Sequence, residues 1–76
     1  MNIIFVRQIL EKALKESAFL KIDYVSKKMV ITRDRIIEPK ILKETMLLAE
    51  ETKTGELKQF SLEGIQKIET MLANEL

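Results

Sequence analysis

The sequence predicts an α+β domain: an N-terminal helix, four antiparallel strands coiled into a partly open barrel, and a C-terminal helix. Three observations predict it. Apolar residues recur at helical spacing at the start of the chain, then the period switches to two, then helical spacing returns near the end. Short polar breaks separate the period-two runs, which favours antiparallel pairing through turns. Gly and Pro are scarce, at two and one in 76 residues, so each marks a boundary.

The first helix is expected from about Asn2 to Ser17, with Val6, Ile9, Leu10, Ala13 and Leu14 on its apolar face. Glu11 stands four residues before Lys15, a favourable helical pair. Ile3, Ile4 and Phe5 add apolar surface beyond one stripe. In Leu20, Ile22 and Tyr24 the apolar side alternates with Lys21 and Asp23, which reads as a half-buried strand. Ser26-Lys27-Lys28 suits a hairpin turn. A second strand is expected from Met29 to Glu38. Its apolar residues change parity, which requires a bulge or sharp bend near Asp34. Pro39 is expected to end it, with Lys40 to Glu44 as a connection.

Thr45 to Glu51 is apolar enough for a buried strand, although its residues also suit a helix. Thr52 to Glu56 reads as a turn, with Gly55 free to take a positive φ. Leu57 to Leu62 is the fourth strand, with Lys58, Phe60 and Leu62 on one face and Phe60 in the core. Leu62 to Asn74 is expected to be helical, with Ile65, Ile68, Met71 and Leu72 as its stripe.

At 76 residues the chain is one domain, 1–76. A chain this short buries only about 60% of the surface its unfolded form exposes. Small folds without staples often gain stability by association, so a homodimer and a well-packed monomer are both open. No apolar run, Ile3 to Val6 included, comes near the length of a membrane span, and no cleavable leader pattern opens the chain. The expected location is cytoplasmic.

Charge is uneven. From Lys21 to Lys43 seven basic residues meet three acidic ones; from Glu44 to Leu76 three basic residues meet seven acidic ones. A +4 segment can build a basic face that attracts an anion. It can equally be lysines that discourage strand-edge pairing.

With no Cys and no His, disulfides, thiolate zinc sites and His-based catalysis are excluded. Ser17, Ser26 and Ser61 lack a His base. No loop has the form of a Ca²⁺ loop. The chain is therefore expected to bind rather than catalyse, with no cofactor and no metal.

Three pieces carry a family resemblance. Ile22-Asp23-Tyr24 is similar to an opening strand of pattern Ile-x-Tyr. Arg35-Ile36-Ile37-Glu38-Pro39 is similar to a basic, apolar, apolar, any, Pro element. Lys58 to Ile65 is similar to an Arg-x-Phe-x-Leu-x-x-Ile element at the join of the last strand and a helix. Over residues 20–68 the chain thus resembles the WYL domain, a small Sm-like (SH3-type) β-barrel of bacterial transcription regulators. The name-giving Trp-Tyr-Leu falls here at Thr45-Met46-Leu47, and Lys58 replaces an Arg. The resemblance implies a ligand-sensing or nucleic-acid-sensing barrel, working alone or beside another chain.

The candidate ligand residues are Tyr24, Arg33, Arg35 and Lys58. Arg33 and Arg35 share a parity and are expected on one face, with Lys58 joining from another strand. Guanidinium and ammonium groups around an aromatic suit a phosphate with a base stacked beside it, as in single-stranded nucleic acid or a nucleotide. Other roles stay open: Tyr24 as a core-edge residue with its hydroxyl in water, and Arg33 and Arg35 as partners of neighbours near Asp34 or of Glu50 and Glu51. The leading expectation is a regulatory module binding an anion. The rival is a protein-interaction or homo-oligomerisation module that uses the helix start and the apolar Met71, Leu72 and Leu76.

Overall fold

The computed structural model describes residues 2–71. Helix α1 (Ile3–Glu16) starts where Asn2 Oδ1 accepts the Ile4 N–H at 2.8 Å, an N-cap. It ends at Ser17, held in the left-handed region, while the Ala18 N–H reaches back to the Ala13 carbonyl at 2.9 Å. Val6, Leu10 and Ala13 are its buried face, and Ile4 and Phe5 are exposed.

Five strands follow: β1 (Phe19–Val25), β2 (Ile31–Leu42), β3 (Met46–Glu51), β4 (Leu57–Ser61) and β5 (Ile65–Met71). All neighbouring pairs are antiparallel, in the order β4-β3-β2-β1-β5. A three-residue 3₁₀ turn, Leu62–Gly64, joins the two edge strands. Laid flat, four steps of about 4.8 Å would separate those edges by about 19 Å. The turn reaches only about 14 Å. The sheet must therefore coil, and it encloses Leu20, Ile22, Ile37, Leu47, Phe60 and Ile65 while α1 covers them with Val6 and Leu10. Among the described residues no ladder joins β4 to β5, so the sheet stays open.

The expected bulge is present. Asp34 has φ +55°, and the β1–β2 register shifts between Ile22 and Tyr24. Asp34 tolerates this conformation, and its N–H donates to Asp23 Oδ1 at 2.9 Å. The β3 strand and the positive φ of Gly55 also agree with expectation.

Two expectations are corrected. Pro39 does not end β2, which continues to Leu42. The Thr52 N–H bonds Ile36 O, so by alternation the Pro39 nitrogen points away from β3 and toward β1. The β1 ladder has already stopped at Leu20–Ile37, so no hydrogen bond is lost there. The C-terminal helix is replaced, over the described residues, by the 3₁₀ turn and a fifth strand; residues 72–76, including Leu72 and Leu76, lie outside them. The three-residue spacing of Ile65, Ile68 and Met71 has a different origin. Gln66 is an extra residue where the β5–β1 register shifts, which resets parity so that Ile65 and Ile68 both face the core. Met71 faces Phe19 and lies outside that core cluster.

Candidate functional site

Arg35 of β2, Glu51 at the end of β3 and Lys58 near the start of β4 carry charge on core-facing positions. Arg35 lies opposite Ile22, Glu51 opposite Ile37, and Lys58 opposite Ala49. The same alternation that buries Ile22, Ile37 and Ala49 therefore aims these three side chains toward one another above Phe60.

Arg35 donates from Nε to Glu51 Oε2 at 3.1 Å and from Nη2 to Glu51 Oε1 at 2.8 Å. Its third nitrogen, Nη1, donates to Thr32 Oγ1 at 3.2 Å. Lys58 Nζ stands 3.1 Å from Glu51 Oε1. The Arg35 guanidinium carbon is 4.9 Å from the Phe60 ring centroid and 6.0 Å from that of Tyr24, so the cation also rests on aromatic surface. Arg35 and Glu51 side chains are 17% and 13% exposed, which shields the pair from the screening that weakens surface ion pairs. The hydrogen bond from Arg35 holds the Glu51 carboxyl below its ordinary pKa; burial opposes this and Lys58 reinforces it.

Arg33 lies elsewhere than expected. The bulge at Asp34 places Thr32 opposite Tyr24 and Arg35 opposite Ile22, so residues three apart share the inner face. Arg33 is turned outward, its side chain is 72% exposed, and it stands 3.6 Å from Asp23 Oδ2. It is at the rim of the cluster rather than beside Arg35.

Tyr24 is buried and packs edge-on to Phe60, with ring centroids 5.0 Å apart. Its hydroxyl accepts the Ser61 N–H at 2.9 Å. Tyr24 thus supports the cluster from below.

A groove of about 760 Å³ runs over the cluster, lined by Arg33, Arg35, Lys53 and Lys58 together with the hydroxyl-bearing Thr32 and Thr52. Arg33, Arg35 and Lys58 therefore share one groove; Tyr24 lines a separate depression with Lys27 and Ser61. Lys53 and Thr32 were not singled out by sequence reasoning. The signal for Thr32 is the bulge, which brings it to the face of Arg35. The rest of the +4 segment is dispersed: Lys21 pairs with Glu69 and Lys40 with Glu38, away from the groove. Among the described residues no cluster of acidic side chains forms a metal site, and no helix is long and apolar enough to cross a membrane.

No family model matches this chain, and no curated protein matches it. A solved structure does: proteasome accessory factor B/C (PafBC) of Arthrobacter aurescens, with a TM-score of 0.79 and 18% identity over 90% of this chain. The chain corresponds to 11% of that protein's length. A likeness of this kind concerns the fold, and it supports the WYL-like fold to which the motifs at Ile22, Arg35 and Lys58 point.

Proposed function

We propose that this domain is a regulatory module, a WYL-like, Sm-type open barrel acting in the cytoplasm, that binds an anionic ligand in the groove over Arg35 and Lys58. A regulatory role accords with the likeness to PafBC. The observation that carries the ligand class is the groove lining. Four cations, Arg33, Arg35, Lys53 and Lys58, stand against two carboxylates, Asp34 and Glu51, a balance of +2.

Glu51 sets how the groove works. It neutralises Arg35 and aligns it, leaving Lys58, Lys53 and Arg33 to meet an incoming phosphate or carboxylate. Lys58 has three donors and spends one on Glu51. The Thr32 and Thr52 hydroxyls at the wall donate to the Tyr24 and Ile36 carbonyls, at 3.4 Å and 3.1 Å. The proposed activity is binding.

The test is a titration with a single-stranded oligonucleotide, and separately with a nucleotide, at two salt concentrations. Two or three neutralised phosphates predict roughly a tenfold loss of oligonucleotide affinity between about 50 and about 200 mM salt. No binding of either at low salt overturns the proposal.

A second reading is favoured by Ile4 and Phe5, apolar side chains exposed at the start of α1. In that reading the helix start docks a protein partner. Phe5→Glu abolishes capture of such a partner and leaves anion binding intact.

A further inference from the structure

The β1–β2 hairpin turns on a residue that resists the conformation required of it. The Met29 N–H donates to the Ser26 carbonyl at 2.9 Å, a β-turn over Lys27 and Lys28, and the Ser26 N–H donates to the Val30 carbonyl at 3.0 Å. Lys27, Lys28 and Met29 thus form a three-residue loop. The last position of such a loop turns left-handed, and glycine is its usual occupant. Met29 holds it here at φ +64°, where a long side chain is unfavourable. The turn is fixed nonetheless, since the Val30 N–H also bonds Ser26 Oγ at 3.2 Å.

The methionine puts apolar surface at the tip. Met29 is 78% exposed, the most exposed large apolar residue among those described, and Val30 and Ile31 follow at 57% each. Nowhere else among the described residues do three such side chains stand in succession. Ile31 pairs with Val25 and Thr32 with Tyr24, so alternation sends Val30 to the face of Thr32 and Ile31 to the opposite face. With Met29 at the turn, the tip is apolar on both faces. Lys27 and Lys28 stand exposed beside it, and neither is in an ion pair among the described residues. Glu63 borders the same depression as Lys27 without pairing with it. From Tyr24 to Arg33 there are three basic residues and no acidic one.

We propose that this hairpin tip inserts into the surface of a lipid bilayer rich in anionic head groups. Met29, Val30 and Ile31 enter the boundary between head groups and acyl chains, and Lys27 and Lys28 meet the head groups. Exposure on both faces favours that occupant. A groove on a protein covers one face of a hairpin, and a nucleic-acid base step takes an apolar wedge between two bases. The bilayer boundary surrounds whatever enters it. The charge is complementary as well, because lysines next to an apolar anchor are drawn to anionic lipid. The domain lies on the membrane and does not span it. A short anchor with two lysines gives weak, reversible binding that salt reduces. Nothing in this contact uses the groove over Arg35 and Lys58, so it stands apart from anion binding there.

Flotation with vesicles of phosphatidylcholine, with and without phosphatidylserine, tests it at two salt concentrations. The parent is expected to bind the phosphatidylserine vesicles, more weakly at high salt, and to bind phosphatidylcholine alone less well. Met29→Asn removes the apolar side chain and supplies a residue that tolerates φ +64°, so the fold is kept. Its vesicle affinity is expected to fall about tenfold. Lys28→Ala is expected to cost about fivefold, and less at high salt. Spin-labelled lipid is expected to broaden the methyl resonances of Met29, Val30 and Ile31 before those of Ile4. No binding to phosphatidylserine vesicles at low salt overturns the proposal. So does binding that Met29→Asn leaves unchanged, or broadening that begins at Ile4. A parent that ignores vesicles while Met29→Asn weakens oligonucleotide binding gives the tip to nucleic acid and equally overturns it.

Discussion

Arg35 grips Glu51 through two parallel hydrogen bonds, Nε to Oε2 at 3.1 Å and Nη2 to Oε1 at 2.8 Å. Paired forks of this kind hold both side chains in one geometry. Here the fork lies on Phe60, and Lys58 closes the carboxylate from the third side. The pair therefore seals one end of the core and sets the charge of the groove above it.

Glu51→Gln separates these two roles. It keeps the shape and removes the charge, leaving Arg35 and Lys58 without their counter-ion. Stability to urea is expected to fall by about 1–2 kcal/mol, and affinity for an anionic ligand is expected to rise. A variant as stable as the parent, with unchanged binding, contradicts the role given to Glu51.

The same carboxylate makes stability depend on pH. In the folded chain its pKa lies below the ordinary 4.5, chiefly because of the hydrogen bond from Arg35. A lowered folded pKa contributes stability that is complete above the unfolded value and is lost as pH falls through the folded one. Urea unfolding of the parent is thus expected to weaken below about pH 4.5. The Glu51→Gln variant is expected to lack that component, and parallel pH profiles for the two proteins contradict the assignment.

Gly64 is held by close approach. A Cβ there would meet the Val25 carbonyl oxygen at 2.5 Å and Tyr24 Cε1 at 2.6 Å. The backbone oxygen cannot yield cheaply, so Gly64→Ala is expected to cost about 1–3 kcal/mol. It also displaces the Tyr24 ring and weakens the bond from Ser61 N–H to its hydroxyl. Thermal unfolding and the Tyr24 ring resonances check both effects; an unshifted melting temperature contradicts them.

Much of the fold was legible in residues 3–62, where patterns are long or turns are well marked. The helix, the bulge at Asp34, the turn at Gly55 and the burial of Phe60 all follow from local chemistry. What escaped depended on pairing across the sheet. Ile65, Ile68 and Met71 have helical spacing, and only the extra residue at Gln66 makes them a strand. Pro39 is tolerated because β1 ends before reaching it, a fact set by the length of another strand. At the site, parity grouped Arg33 with Arg35, and Lys58 was expected to join them from another strand; Arg35 and Lys58 meet on Glu51. The bulge at Asp34 turns Arg33 to the other face, which simple alternation from Arg33 to Arg35 does not show. Glu51 was legible only as one of several partners for the arginines, since its place depends on the β2–β3 register.

Arg33 offers a contrast within the groove. It is exposed and loosely paired with Asp23 at 3.6 Å. Arg33→Ala is expected to leave stability within about 0.5 kcal/mol of the parent. The salt dependence of oligonucleotide binding is expected to lose about 0.7 of a logarithmic slope, the share of one phosphate contact. An unchanged slope removes Arg33 from the groove's working surface.

An anionic ligand in the groove is expected to meet the Arg35–Glu51–Lys58 cluster. The Arg35 Nε–H resonance reports on it directly, since that proton lies on Glu51 in the free protein. Titrated with a single-stranded oligonucleotide at low salt, it is expected to shift and saturate with the same midpoint as the binding curve. A binding curve that saturates while the Arg35 resonance stays fixed, or no binding at all, contradicts the central claim.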